Sequence, residues 1–149
     1  MDDRLSAGEL LQHSWIKKYG KVHDPGDEEI KEAMINIQKF SKANKFQRSI
    51  ISILLGLRPK QEDIERIRRV FKYIDSDSNG SIDPKEIKLM DKKYKVLEQG
   101  GSWTNILNNL DLDGNKMIDF HEFFIASVKH DIYLNQKNID YVFQTFDRD

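Results

Sequence analysis

The 149-residue chain contains no cysteine, which excludes disulfides and thiolate metal sites and permits a reducing compartment, with the cytoplasm the expected location. No sign of charge prevails. Lysine and arginine number 24 against 25 aspartates and glutamates, a net charge of -1, so there is no global pull toward nucleic acid or membrane and any electrostatic function is local. No signal peptide is visible, and the longest apolar run, IISILLGL from Ile50 to Leu57, is too short to span a bilayer and is interrupted by Ser52 and Gly56. The four histidines, His13, His23, His121 and His130, share no metal-binding spacing. With 33% charged and 38% hydrophobic residues, the remaining reading is a soluble globular chain of one ordinary domain or two small ones.

What the sequence does have is a repeat. YIDSDSNGSIDPKEI, NLDLDGNKMIDFHEF and TFDRD begin their acidic runs at Asp75, Asp111 and Asp147, 36 residues apart each time. Each run follows an apolar stripe at helical spacing. The stripes are Ile64, Ile67, Val70, Phe71 and Ile74; Trp103, Ile106, Leu107 and Leu110; and Ile139, Val142, Phe143 and Phe146. The spacing within the runs suits calcium, a hard cation that takes six to eight oxygens from positions 1, 3, 5, 7, 9 and 12 of a twelve-residue loop. In the first loop these are Asp75, Asp77, Asn79, the carbonyl of Ser81, Asp83 and Glu86; in the second they are Asp111, Asp113, Asn115, the carbonyl of Met117, Asp119 and Glu122. A single D-x-D-x-N-G is common in solvated turns, whereas two complete loops at one step between amphipathic helices form a specific signal.

Gly80 takes the sharp turn at position 6 of the first loop, where a Cβ is penalised. Lys116 stands at the same position of the second, and a left-handed non-glycine residue costs about 1–2 kcal/mol. The second loop is therefore expected to bind more weakly or to turn differently, with Gly114 not replacing the missing glycine. Asp83 and Glu86 are expected to form a capping box on the helix that leaves the first loop, and Ile82 and Ile118 to join the loops through a short β bridge.

Upstream, the pattern predicts one long helix from about Asp27 to Leu57, the core of a junction segment spanning 27–58. From Lys39 to Lys60 inclusive there are six basic residues and no acidic one, with Phe46, Ile50, Ile53, Leu54 and Leu57 on one face. A basic amphipathic helix is what calmodulin-like modules take into their grooves, and the short tether RPKQED raises its effective concentration beside the loops. RLSAGELLQHSWI predicts a further short helix within residues 1–22, opened by a Ser6–Glu9 capping box.

RLSAGELLQHSWI is similar to the last helix of a protein kinase C-lobe, with Ser14 in place of the family's proline. Followed by a basic junction helix and calcium loops at 36-residue steps, the order of parts resembles the C-terminal region of plant and apicomplexan calcium-dependent protein kinases. The resemblance implies an all-α fold: a pair of EF-hands over 61–130 joined by a short β bridge, a long junction helix before it, and over 131–149 the leading helix and first loop residues of a third unit. It implies a Ser/Thr kinase domain outside this chain, with the junction helix blocking that kinase at low calcium and captured by the EF-hands when two Ca2+ ions load. The chain itself has no phosphate-cradling glycine loop, H-R-D or D-F-G motif and is read as a regulatory fragment, not an enzyme. The alternative is a free-standing calcium buffer or adaptor with an external partner, which barely opens on loading. The apolar face of Ile139, Val142, Phe143 and Phe146 lacks the rest of its unit, so calcium-promoted self-association is expected, with folding back along the junction helix as the competing outcome.

Overall fold

Two helices stand where the sequence pattern predicts one. The computed structural model describes residues 24–57, 59–97 and 101–147, with Gly8, Gln12 and His13. The expected helix within 1–22, the side chains of Leu57 and Phe146, and Asp149 lie outside the described residues. Helix α1 (Asp27–Lys42) has Asp27, Glu28 and Glu29 in its first turn and Lys39 and Lys42 in its last, charges that complement the helix dipole. It stops because Ala43 is extended, at φ -68° and ψ 147°. Asn44 then starts α2 (Lys45–Leu57) with a reciprocal capping box. Asn44 Oδ1 accepts from Gln47 N at 2.9 Å, and Gln47 Oε1 accepts from Asn44 N at 3.0 Å.

Two helix-loop-helix units follow: α3 (Gln61–Ile74), β1 (Ser81–Ile82) and α4 (Pro84–Tyr94), then α5 (Trp103–Leu110), β2 (Ile118–Asp119) and α6 (Phe120–Ser127). The strands pair antiparallel with Ile82 opposite Ile118, the bridge expected from the two position-8 isoleucines. The leading-helix stripes are buried at Ile67, Val70, Phe71 and Ile74 and at Trp103, Leu107 and Leu110. Phe71 centres an aromatic cluster, its ring 5.5 Å from Phe120 and 5.4 Å from Phe123.

The helix seated along the pair is α1, which packs against α3, α5 and above all α6. Ile30, Ala33, Met34 and Ile37 are at most 1% exposed there, and burying each large aliphatic side chain contributes roughly 1.5–3 kcal/mol. Polar contacts set the register: Asn36 Nδ2 donates to Ser127 O at 2.9 Å and Gln38 Nε2 to Val96 O at 2.9 Å. Glu32 pairs with Arg66 at 2.9 Å and Lys129 at 2.6 Å, and Glu29 with Arg69 at 3.3 Å. The Lys129 hydrogen bond, with help from Arg66, holds the Glu32 carboxyl below its ordinary range. Partly exposed pairs contribute only ~0–1 kcal/mol each, so apolar burial dominates the seating.

The expected contact face of the junction segment is corrected by this arrangement. Of Phe46, Ile50, Ile53 and Leu54, only Leu54 is fully buried; Ile51 and Leu55 join it, Ile50 and Ile53 are half-buried, and Phe46 is 71% exposed. The elbow at Ala43–Asn44 gives α2 partners of its own, which are α6, α7 (His130–Tyr133) and α8 (Gln136–Phe146). Helix α8 thus folds back on α2 with Val142 buried and Ile139 half-buried, while Phe143 is 64% exposed. Tyr133 ties this end to α3, donating to Asp63 Oδ2 at 2.7 Å and accepting from Lys60 N at 3.1 Å; burial first, then the Asp63 bond, pushes its hydroxyl up to about 12.

Candidate metal centre

Each loop folds around its own first carboxylate. Asp75 accepts from Asn79 N at 3.1 Å and Gly80 N at 3.0 Å; Asp111 accepts from Asn115 N at 3.1 Å and Lys116 N at 3.0 Å. The last carboxylate closes the loop from the other side. Glu86 Oε1 accepts from Ser76 N at 2.8 Å and Oε2 from Asp83 N at 3.0 Å, and Glu122 repeats this with Leu112 N at 2.6 Å and Asp119 N at 3.1 Å. Both glutamates also complete capping boxes, Asp83 starting α4 and Asp119 starting α6. Each glutamate therefore serves both the cap of its helix and the closure of its loop.

The structure brings Asp75, Asp77 and Glu86 together, and separately Asp111, Asp113 and Glu122, with one oxygen from each member within 4.8 Å of the others. Asp75, Glu86 and Glu122 are buried, so both clusters concentrate like charge where water screens it poorly, an arrangement that a divalent cation relieves. Asn79 and Asn115 lie beside the clusters, their amides donating to Asp77 at 2.9 Å and Asp113 at 2.8 Å while their oxygens accept from Ser81 N and Met117 N. Asp83 and Asp119 stand outside the carboxylate triads at the helix caps, the place of a position-9 group that reaches calcium through water. An all-oxygen donor set of this kind suits a hard cation. His121 is exposed, whereas His130 sits against the core with a ring nitrogen 2.7 Å from Ile125 O, and burial lowers its pKa.

Lys116 is left-handed, at φ +66°, as its position requires. The sequence did not reveal that position 4 is left-handed too, in both loops: Ser78 has φ +56° and Gly114 φ +78°. The glycine has changed places. The first loop carries serine then glycine at the two left-handed positions, the second glycine then lysine, so each loop holds one strained non-glycine residue. Both loops turn at the same two positions, so Lys116 does not give the second loop a different turn, and the first loop carries a left-handed non-glycine residue of its own. Ser78→Gly and Lys116→Gly should each tighten their own loop by a similar factor, roughly two- to fivefold once glycine's entropy cost offsets part of the relieved strain. Calcium calorimetry with the other loop disabled checks this; a gain confined to Lys116→Gly would mean that Ser78 is unstrained.

Residues 64–127 match the family model of the EF-hand domain pair, and the two helix-loop-helix units joined by a β bridge are such a pair. Along nearly its whole length the chain is similar to plant kinases. It is 29% identical over 147 residues to calcium-dependent protein kinase 17 of Arabidopsis thaliana, covering 98% of this chain and 27% of that protein. Calcium-dependent protein kinase 34 of the same plant is 28% identical over the same shares, and calcium-dependent protein kinase 2 of Zea mays is 26% identical, covering 98% of this chain and 28% of that protein. The chain thus spans about a quarter of the length of the curated relatives it matches. No helix among the described residues is long and apolar enough to cross a membrane.

Proposed function

We propose that the chain is the calcium-sensing regulatory segment of a cytoplasmic calcium-dependent Ser/Thr protein kinase. It binds one Ca2+ through Asp75, Asp77, Asn79, the Ser81 carbonyl, Asp83 and Glu86, and a second through Asp111, Asp113, Asn115, the Met117 carbonyl, Asp119 and Glu122. The junction segment, α1 and α2, is shared between the kinase, which it blocks at low calcium, and the EF-hand pair. The observation that carries this reading is the seating of α1 along the pair, where Ile30, Met34 and Ile37 are fully buried. A buffer or an adaptor with an external partner has no need of its own segment in that place. Phe46 and Phe143, both largely exposed, are the surfaces for calcium-promoted self-association.

Hydrogen exchange on the whole chain, with and without calcium, tests the sensor reading. Calcium is expected to change amide protection along α1 and α2 as well as in the loops. A change confined to residues 75–86 and 111–122 would favour the buffer.

A further inference from the structure

The two loops match in ligand types and in charge, each with four acids against one lysine, Lys85 in the first and Lys116 in the second. They differ in the donors around those ligands. Glu86 Oε1 accepts twice from Ser76, from its N at 2.8 Å and its Oγ at 2.9 Å, whereas Glu122 Oε1 accepts the N of Leu112, a residue without a hydroxyl. Asn79 Oδ1 likewise accepts both N and Oγ of Ser81, at 2.8 and 2.7 Å, whereas Asn115 Oδ1 accepts the N of Met117 at 2.7 Å. An amide oxygen offers two lone pairs and a carboxylate about four, two on each oxygen. Asn79 Oδ1 and Glu86 Oε1 are therefore filled, while Asn115 Oδ1 and both oxygens of Glu122 keep a position open. The first aspartates do not reverse this contrast. Asp111 Oδ1 takes the amides of Gly114 and Asn115, but its Oδ2 takes that of Lys116 alone among the described residues, and a ligand that binds through one oxygen needs one open oxygen. The twelfth residue needs both of its oxygens, and asparagine has one.

We propose that the hydroxyls of Ser76 and Ser81 compete with calcium for its own ligand oxygens in the first loop, and so set that loop's affinity below that of the second. A cation that takes Glu86 through both oxygens and Asn79 through Oδ1 displaces both hydroxyls, which turn to water. The backbone amides stay, holding the ligands in place in both loops. Ser76 is exposed, so its released hydroxyl is hydrated at once and the cost is that of exchanging one hydrogen bond for another. Leu112 and Met117 have no hydroxyl to release. The second loop therefore loads first and the first loop at higher calcium, the reverse of the order that Lys116 alone suggests. This rests on the calcium reading of the loops above.

Calorimetry on the full chain carrying Glu122→Gln, in which the first loop alone titrates, tests this. Adding Ser76→Ala and Ser81→Ala should tighten calcium by about fivefold, in keeping with two hydrogen bonds of modest net strength. Ser76→Thr with Ser81→Thr keeps both hydroxyls and should stay near the parent affinity. The reverse experiment uses the chain carrying Glu86→Gln, in which the second loop alone titrates. Leu112→Ser should weaken calcium there by about twofold, and before that change the second loop should already bind more tightly than the first does in its own parent. Unchanged or weaker binding after the two alanine changes, threonine variants that match the alanine ones, or a first loop tighter than the second would overturn the competition. Absence of any calcium step in both single-glutamine parents would instead bring down the calcium reading itself.

Discussion

Replacing Glu86 and Glu122 together by glutamine is expected to abolish calcium binding at both loops in the micromolar range, and each single change to remove one step. The twelfth position is where the loops are most exposed to a one-atom change. Glu86 and Glu122 are both buried, each holds a loop amide on either oxygen, and each is the side chain expected to give a cation two charged oxygens. Glutamine preserves volume and can still serve as the third residue of a capping box, so α4 and α6 should start where they do now. What is lost is one negative charge and one acceptor per loop, on the order of a hundredfold in affinity given how strongly ligand charge tunes such sites. Calorimetry reads the number of steps directly. A double variant that still titrates with two ions would place the metal elsewhere.

Met34→Asp should unseat α1. Met34 is fully buried on the face that meets the EF-hand pair, so truncation alone to alanine would cost about 2–5 kcal/mol, and a carboxylate adds the penalty of burying a charge without a partner. Ile35→Asp on the same helix is the control. Ile35 is 43% exposed, and surface changes of this kind stay within about 0.5 kcal/mol. Urea denaturation should show a large fall in midpoint for the first and almost none for the second. Equal effects would mean that α1 does not use this face.

The parts of the fold that were legible are those in which local pattern and tertiary contact agree. Helical stripes ending at Ile74 and Leu110 announce both leading helices, and the position-8 isoleucines announce the bridge that pairs Ile82 with Ile118. The grouping of Asp75, Asp77 and Glu86, and of Asp111, Asp113 and Glu122, was likewise legible, because loop geometry is set within twelve residues. The elbow was readable but masked: Asn44-x-x-Gln47 is a capping box, yet continuous amphipathicity on either side outweighs it. Which half of the junction segment occupies the pair was not readable at all. Ile30, Met34 and Ile37 in α1 and Ile51, Leu54 and Leu55 in α2 are equally plausible apolar faces, and only tertiary contacts distinguish them: α1 packs against α3, α5 and above all α6, whereas α2 shares α6 with α7 and α8. The left-handed Ser78 carries no signal either, since serine rarely marks such a position and the glycine that would mark it occurs only in the other loop.

The proposed function requires that each of the two loops hold one calcium ion in the range of a sensor. A calorimetric calcium titration of the unmodified chain tests it most directly. Two ions per chain with dissociation constants of roughly 10⁻⁷ to 10⁻⁵ M are expected, the range in which EF-hand sensors work. Fewer than two ions, or constants near 10⁻³ M, would contradict the account.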